Sequence, residues 1–486
     1  MPQGHSSRKD PFHRKVTMQP ASVVRRIALC LWSALTLLGA AQDASSQTAP
    51  PPAWTQAQNF RYDIEQVLVN TTNVAGTWNV KVIFSIKDPT NGTVWDIKTA
   101  LPYQSTGAGL TIDIGWDPST DFTNTGSANP ALSPLVGTTL GSGAALSIQI
   151  RNLNSPTIGA NRCTTVDCPG LAEQLNRFWV QRTVTPIRFK QTVATGRVAI
   201  EGHPVCNGLP GCPTSNPPYA NIPVRSETAD FAYLPVSTPT AAIVADPRRQ
   251  VVDFSSKCNK CHDGTKLSGS GALIPRLSLH GNNRNENLKL CVMCHNPNQT
   301  DVPYRVITAD ARTSGPETSI DFKRMIHGIH AGGFRKTPLV VIGFNTSIND
   351  YSGVRFPSEL RNCVNCHIDK SGKGTFELPL NAAVLGSTVS TGSTYAVAGG
   401  ASRSIDVNPF NDLKITPTAA TCSGCHDDSE VRSHMIRTGG ASFGTLQQNI
   451  GTTVKERCAS CHGPGKEKDV RKAHEIGGGG SQSSGD

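Results

Sequence analysis

Five times the chain writes two cysteines three apart and then a histidine: CNKCH (258–262), CVMCH (291–295), CVNCH (363–367), CSGCH (422–426) and CASCH (458–462). Two thiols at this spacing can form thioethers with the two vinyl groups of one haem, and the adjoining imidazole can then meet the iron. The pattern assigns Cys258, Cys261, Cys291, Cys294, Cys363, Cys366, Cys422, Cys425, Cys458 and Cys461 to covalent attachment. It assigns His262, His295, His367, His426 and His462 to the proximal iron positions. A zinc ribbon needs four ligands per site and no histidine after each second cysteine. A thioredoxin-type redox pair would occur once. Five copies in an exported chain predict five covalently bound haem c groups.

The sixth iron ligand separates a carrier from an enzyme, because an open position binds substrate. The chain has 13 histidines. Five are proximal, His5 and His13 lie in the leader, and His203 lies in the first half, where it reads as an ordinary surface or loop residue. His280, His327, His330, His434 and His474 remain, all among the CxxCH motifs. Their number and location predict bis-His ligation of every haem. Methionine competes poorly: Met1 and Met18 are in the leader, Met293 sits inside a CxxC loop, and Met325 and Met435 each lie near a better ligand.

In SIDFKRMIHGIHAGG (319–333), Ser319 or Asp321 can cap a helix and Gly332 and Gly333 can end it. Phe322, Met325, Ile326 and Ile329 follow helical spacing, with His327 and His330 on the flank. Residues three apart are neighbours on a helix, so one helix could serve two haems. A two-histidine metal site is the rival reading, but no third ligand is evident nearby.

The surrounding chain must position these groups. Residues 1–41 read as a signal peptide: Arg25 and Arg26 precede an apolar run too short to span a membrane, and Met18 is an alternative start. Cys30 opens the apolar run, whereas a lipid-anchored cysteine follows it, so no lipid anchor is expected. Residues 42–54 form a Pro/Ser/Ala linker. Residues 55–240 carry alternating or β-branched runs at 62–69, 78–86, 110–116, 145–150, 185–193 and 196–200, separated by turn signals at 88–92, 117–119 and 123–126. This predicts a β-rich N-terminal domain, a sandwich or small Greek-key barrel. Cys163, Cys168, Cys206 and Cys212 are disulfide candidates, expected as two local loops.

From 245 to 476 the strand patterns fade, and a multihaem cytochrome c domain of short helices and long loops is expected. Residues 386–404 read as a low-complexity surface loop, and 477–486 as a flexible Gly/Ser tail. Net charge is +10, from 46 basic and 36 acidic residues. Half of that excess lies in the leader, and there is no dense basic run. Nucleic acid is therefore not expected as a partner, and no transmembrane segment is expected.

IHGIHAGG (326–333), RNCVNCHIDK (361–370) and LHGNNRNENLKLCVMCHNP (279–297), after a β domain, resemble the OmcA/MtrC family of multihaem c-type cytochromes. The resemblance covers about residues 60–476. It implies electron transfer across or beyond the outer membrane, with ferric minerals, chelates or flavins as acceptors. It also implies that His327 and His330 are distal ligands to two different haems. Family members commonly carry ten haems in two modules, and many are lipoproteins. This chain has one module and no lipid signal, so a periplasmic or secreted carrier, or one docked to other cytochromes in an outer-membrane complex, is expected. Terminal metal reduction through exposed haems would be compatible. Two rival functions are a nitrite- or hydroxylamine-type multihaem reductase and a subunit of a cytochrome filament. The first commonly uses CxxCK, which is absent, and the second needs contacts between subunits.

Overall fold

The alternation at 62–69 and 78–86 becomes a hairpin in the computed structural model. The structure describes residues 60–71, 78–89, 91–105, 107–116, 121–122, 146–149, 160–171, 176–181, 194–206, 212, 221–233, 241–263, 276–368, 384–393, 396–397, 406 and 411–476. All of them lie in a single compact unit, Thr48–Asp486. The signal peptide, the linker, the strand expected at 185–193 and the C-terminal tail lie outside the described residues.

In the N-terminal half, β1 (Arg61–Thr71), β2 (Trp78–Lys87), β3 (Gly109–Trp116), β4 (Leu146–Gln149), β5 (Asn161–Arg162), β6 (Phe178–Gln181), β7 (Ala194–His203), β8 (Glu227–Tyr233) and β9 (Ala242–Val244) form two sheets. Their orders are β1-β2-β6-β5 and β4-β3-β7-β8-β9, and every pairing is antiparallel. Two separate sheets make a sandwich, the first of the two expected architectures. One face of each sheet feeds a continuous apolar cluster. Val67, Val82 and Phe84 of the first sheet pack with Ile112, Ile114, Val198, Ile200 and Phe231 of the second. Burying each such side chain contributes about 1.5–3 kcal/mol.

Both disulfides close locally, Cys163 with Cys168 and Cys206 with Cys212. His203 corrects the reading as a surface or loop residue. It ends β7, is 5% exposed, and its Nδ1 lies 3.2 Å from the Pro204 carbonyl.

In the C-terminal half the elements are short. Its helices run four to nine residues and include α1 (Leu288–Cys294), α2 (Phe322–His330), α3 (Pro417–Cys422), α4 (Ser429–Arg437), α5 (Cys458–His462) and α6 (Val470–Ala473), besides a single turn at Ala311–Ser314. The surface loop expected at 386–404 is corrected in its described part. Residues 387–390 form β10 (Ser387–Ser390), which pairs with β11 (Leu413–Ile415), itself paired with β12 (Thr445–Leu446). Ser387 and Thr388 are fully buried. Polar partners make this possible: Ser387 Oγ donates to Asp321 (2.5 Å), and Lys414 donates to Thr388 and to Asn298 (3.0 Å).

The two halves share an interface. Phe122 and Ala199 pack with Leu290, Val292 and Met293 of α1. The fully buried Arg197 makes two 3.0 Å bonds to Asp230 and a third, from Nη1, to the Lys289 carbonyl at 2.9 Å. Asp121, 2% exposed, accepts from both Arg248 and Arg249.

Candidate functional site

Each CxxCH motif forms about one helical turn. The histidine N–H donates to the carbonyl of the first cysteine at Cys258 (3.0 Å), Cys291 (2.8 Å), Cys363 (2.8 Å) and Cys422 (2.9 Å), and CASCH is itself α5. Positions i, i+3 and i+4 share one face of a turn, so both thiols and the imidazole are presented together. In chain order the motifs define sites 1 to 5.

Every motif histidine has one other histidine opposite it. The ring centroids are 6.1 Å apart for His262 and His330, 6.0 Å for His295 and His280, and 6.0 Å for His367 and His327. They are 6.0 Å apart for His426 and His474 and 6.2 Å for His462 and His434. A metal–imidazole bond of about 2 Å on each side, plus about 1 Å from each nitrogen to its ring centre, requires roughly 6 Å. The spacing of each pair therefore fits one iron held between two imidazoles, and each pair lies beside the two thiols of its own motif.

Five of the rings are also fixed in orientation. Nδ1 of His295 donates to the Ile320 carbonyl (3.0 Å), that of His327 to Lys323 (2.6 Å) and that of His330 to Ile326 (2.9 Å). His462 donates likewise to Lys468 (3.0 Å) and His474 to Val470 (2.9 Å). A proton held on Nδ1 leaves the Nε2 lone pair for a metal. Burial pushes His295, His327 and His330 below the usual imidazole range, and pushes His367 down to about 4, so the rings are neutral at neutral pH. Burial also pushes the Cys258 and Cys422 thiols up to about 12, so both stay protonated thiols at neutral pH. Among the described residues no group of three or more His, Cys, Asp or Glu is placed to hold a bare metal ion.

Helix α2 carries two of these rings, His330 toward site 1 and His327 toward site 3. Only its Gly328 is fully buried; the expected apolar face is half-buried like the histidines beside it. Asp321 stands at the N-cap position, but its carboxylate accepts from Lys323 and Ser387 rather than capping the helix. The glycines permit close approach: a Cβ on Gly424 would meet the His327 Cβ at 2.6 Å, and one on Gly332 would meet the Tyr351 carbonyl oxygen at 1.9 Å.

The contacts give the sites an order in space. Site 2 meets the start of α2, where the Phe322 N–H donates to the His295 carbonyl (3.0 Å). Sites 1 and 3 share α2, and Lys257 donates to the Val364 carbonyl (2.7 Å). The Cys425 thiol reaches the His327 carbonyl (3.7 Å), and Arg361 pairs with Glu475 (2.8 Å), joining sites 3 and 4. Glu456 accepts from the N–H groups of Thr418 and Ala419 (2.8 Å each), joining site 5 to the helix of site 4. These contacts join site 1 to 3, 3 to 4 and 4 to 5, with site 2 against the start of α2, the helix that sites 1 and 3 share.

His280 is held differently. It sits in a hairpin with positive φ at His280, Gly281 and Asn282, and the sandwich grips that hairpin. Glu201 of β7 takes both ends of the Arg284 guanidinium, one at 3.0 Å. The Gly202 N–H donates to the Asn283 carbonyl (2.8 Å) and the Ser226 N–H to that of Asn285 (3.0 Å). In the sequence Glu201 falls just past the run at 196–200, and nothing in the local pattern pairs it with Arg284.

No described helix is long and apolar enough to cross a membrane. A comparison of the chain with curated proteins finds no match. Residues 249–475 match the family model described as outer membrane cytochrome MtrC/MtrF-like, domains II/IV. That segment begins just after the last strand of the sandwich and ends one residue past His474, so it contains all five sites. The CxxCH-bearing half of this chain belongs to the MtrC/MtrF-like family of outer membrane cytochromes.

Proposed function

We propose that the chain is an electron-transfer protein holding five haem c groups in a row. The observation that carries the reading is the set of five facing histidine pairs, each joining one CxxCH histidine to one from elsewhere. Each haem, when bound, supplies a one-electron ferric/ferrous couple, kept low by two imidazole ligands. The chain's part is to hold those couples in line. The two cysteines of each motif would fix one group covalently, and the facing imidazoles would hold its iron. The carbonyls of Ile320, Lys323, Ile326, Lys468 and Val470 hold the rings in one tautomer. Helix α2 fixes sites 1 and 3 relative to each other.

The row ends near the surface. His280 of site 2, His426 of site 4 and His434 of site 5 are exposed, whereas the histidines of sites 1 and 3 are half-buried. Electrons then enter at one end and leave at the other. The family points to outer-membrane or extracellular work for an exported chain. The partners are other cytochromes, an outer-membrane complex, or acceptors such as ferric minerals, chelates or flavins. The intact mass of the matured protein tests the count. It should exceed the polypeptide mass by five haems; a mass fitting four or fewer would contradict the proposal.

A further inference from the structure

Helix α2 passes the CSGCH loop of site 4 one turn before it reaches His327. A Cβ on Gly424 would lie 3.4 Å from the Arg324 carbonyl oxygen, so loop and helix touch here. Two guanidiniums meet the loop. Arg335 donates from Nη1 to the Ser423 carbonyl (3.0 Å) and pairs through Nη2 with Asp427 (3.4 Å). Arg324 donates from Nη1 to the Ser423 hydroxyl (2.7 Å), and among the described residues it makes no other hydrogen bond and no ion pair. Yet it is half-buried. Burial and, second, the charge of Arg335 push its guanidinium down to about 10, so it stays protonated at neutral pH. The carboxylates that oppose this, Asp321 and Asp427, are committed elsewhere. Asp321 accepts from Lys323 and Ser387, and Asp427 from Arg335 and from the N–H groups of Lys336 (3.0 Å) and Thr337 (2.7 Å). In the same half Arg284, Arg305 and Arg335 each have a carboxylate of their own. Arg324 has a neutral oxygen instead.

A half-buried guanidinium without an anion is costly, and its planar fork matches a carboxylate in charge and geometry. Each haem brings two carboxylates, its propionates. Arg324 and His327 are neighbours on α2, and Ser423 lies between the two cysteines of site 4. We propose that Arg324 holds a haem propionate in the seam between sites 3 and 4. Helix α2 thus supplies the counter-charge for a carboxylate of the prosthetic groups as well as two imidazoles. The inference rests on the proposed reading in taking haems at sites 3 and 4.

Arg324→Gln, Arg324→Lys and Ser423→Ala in the haem-loaded chain test it, by intact mass, resonance Raman of the propionate bending modes, and potentiometry. Mass should show five haems in each, since the thioethers are untouched. Arg324→Gln should shift the propionate band of one haem and lower that haem's potential, because the lost positive charge favoured the ferrous state. Arg324→Lys keeps the charge but gives up the fork, so it should hold the potential near the parent's while the band still shifts. Ser423→Ala should match the parent in both. An unchanged propionate spectrum in Arg324→Gln overturns the inference. So does a Ser423→Ala variant that reproduces the potential shift, since Arg324 would then act only by holding the site 4 loop. Should Arg324→Gln fail to mature, Arg324→Lys decides, and a parent-like propionate spectrum there overturns the inference. A parent with fewer than five haems would instead sink the proposed function, whereas five haems with an unmoved propionate band sink this inference alone.

Discussion

The two halves of the molecule are held by different means. The sandwich is organised around one continuous apolar cluster fed by both sheets. The CxxCH half has no counterpart of that size among its described residues. Its apolar clusters are small, such as Ile415, Ala419, Ala420, Met435 and Ala441. Much of its interior is polar and paired. Arg305, 2% exposed, is bidentate on Asp301 (2.7 and 2.8 Å), and Lys414 lies buried against Asp412 (3.6 Å). Helices of four to nine residues are too short to be stable alone in water. The difference teaches that the second half is built to close around something, and its five histidine pairs with ten thiols say what.

The largest expected effect separates the halves outright. Made without haem attachment, the chain should keep amide protection in β1–β3 and β6–β8 while residues 249–475 exchange as an unfolded segment. Hydrogen exchange by mass spectrometry reads this, and equal protection of both halves would break the comparison.

Next in size is the loss of one axial ligand. His330→Ala should keep five haems, since the thioethers are untouched. It should turn one of the five high-spin or water-ligated and raise its potential, as a nitrogen donor to ferric iron is lost. Optical and potentiometric titration shows this. His203→Ala, a change in the sandwich, should leave the haem spectrum as it was.

A smaller effect sharpens the boundary, because site 2 belongs to both halves. Glu201→Gln breaks the clamp on Arg284 and should cost about 1–3 kcal/mol, discounted because Arg284 is partly solvated. Its signature should be a changed potential at one haem, with Glu201→Asp restoring part of it. A loss of stability with all five potentials fixed would reduce the clamp to packing.

The smallest effect is one of pH. Burial pushes the Asp412 carboxyl up to about 6 and the Lys414 ammonium down to about 8. For Asp412 the folded value lies above the unfolded one of about 4. The folded state thus binds the extra proton between the two, and stability falls as pH rises from about 4 to about 6. For Lys414 the folded value is depressed, so stability rises again above about 8. Denaturant titrations of the haem-loaded protein should show the first slope, and Asp412→Asn should remove it.

Much of this was legible in the sequence because it is local. The CxxCH phrase is one turn, the spare histidines can be counted, and alternation marks β1, β2, β3 and β7. Strand β6 escaped notice because FWVQ (178–181) is too short to show a period. Strand β10 escaped because its Ser and Thr side chains look solvated, and only long-range partners such as Asp321 and Lys414 make their burial tolerable. The partner of each histidine is equally non-local: His262 and His330 stand far apart in the chain, and no spacing rule joins them. Glu201 falls just past the run at 196–200, and its role exists only where β7 meets the His280 hairpin.

The central claim is that all ten of these histidines are axial iron ligands. Quantitative EPR of the oxidised, fully haem-loaded protein tests it most directly. The account predicts that the integrated low-spin ferric signal equals five irons per chain, with no high-spin component. One full equivalent or more of high-spin iron in the intact protein would contradict it.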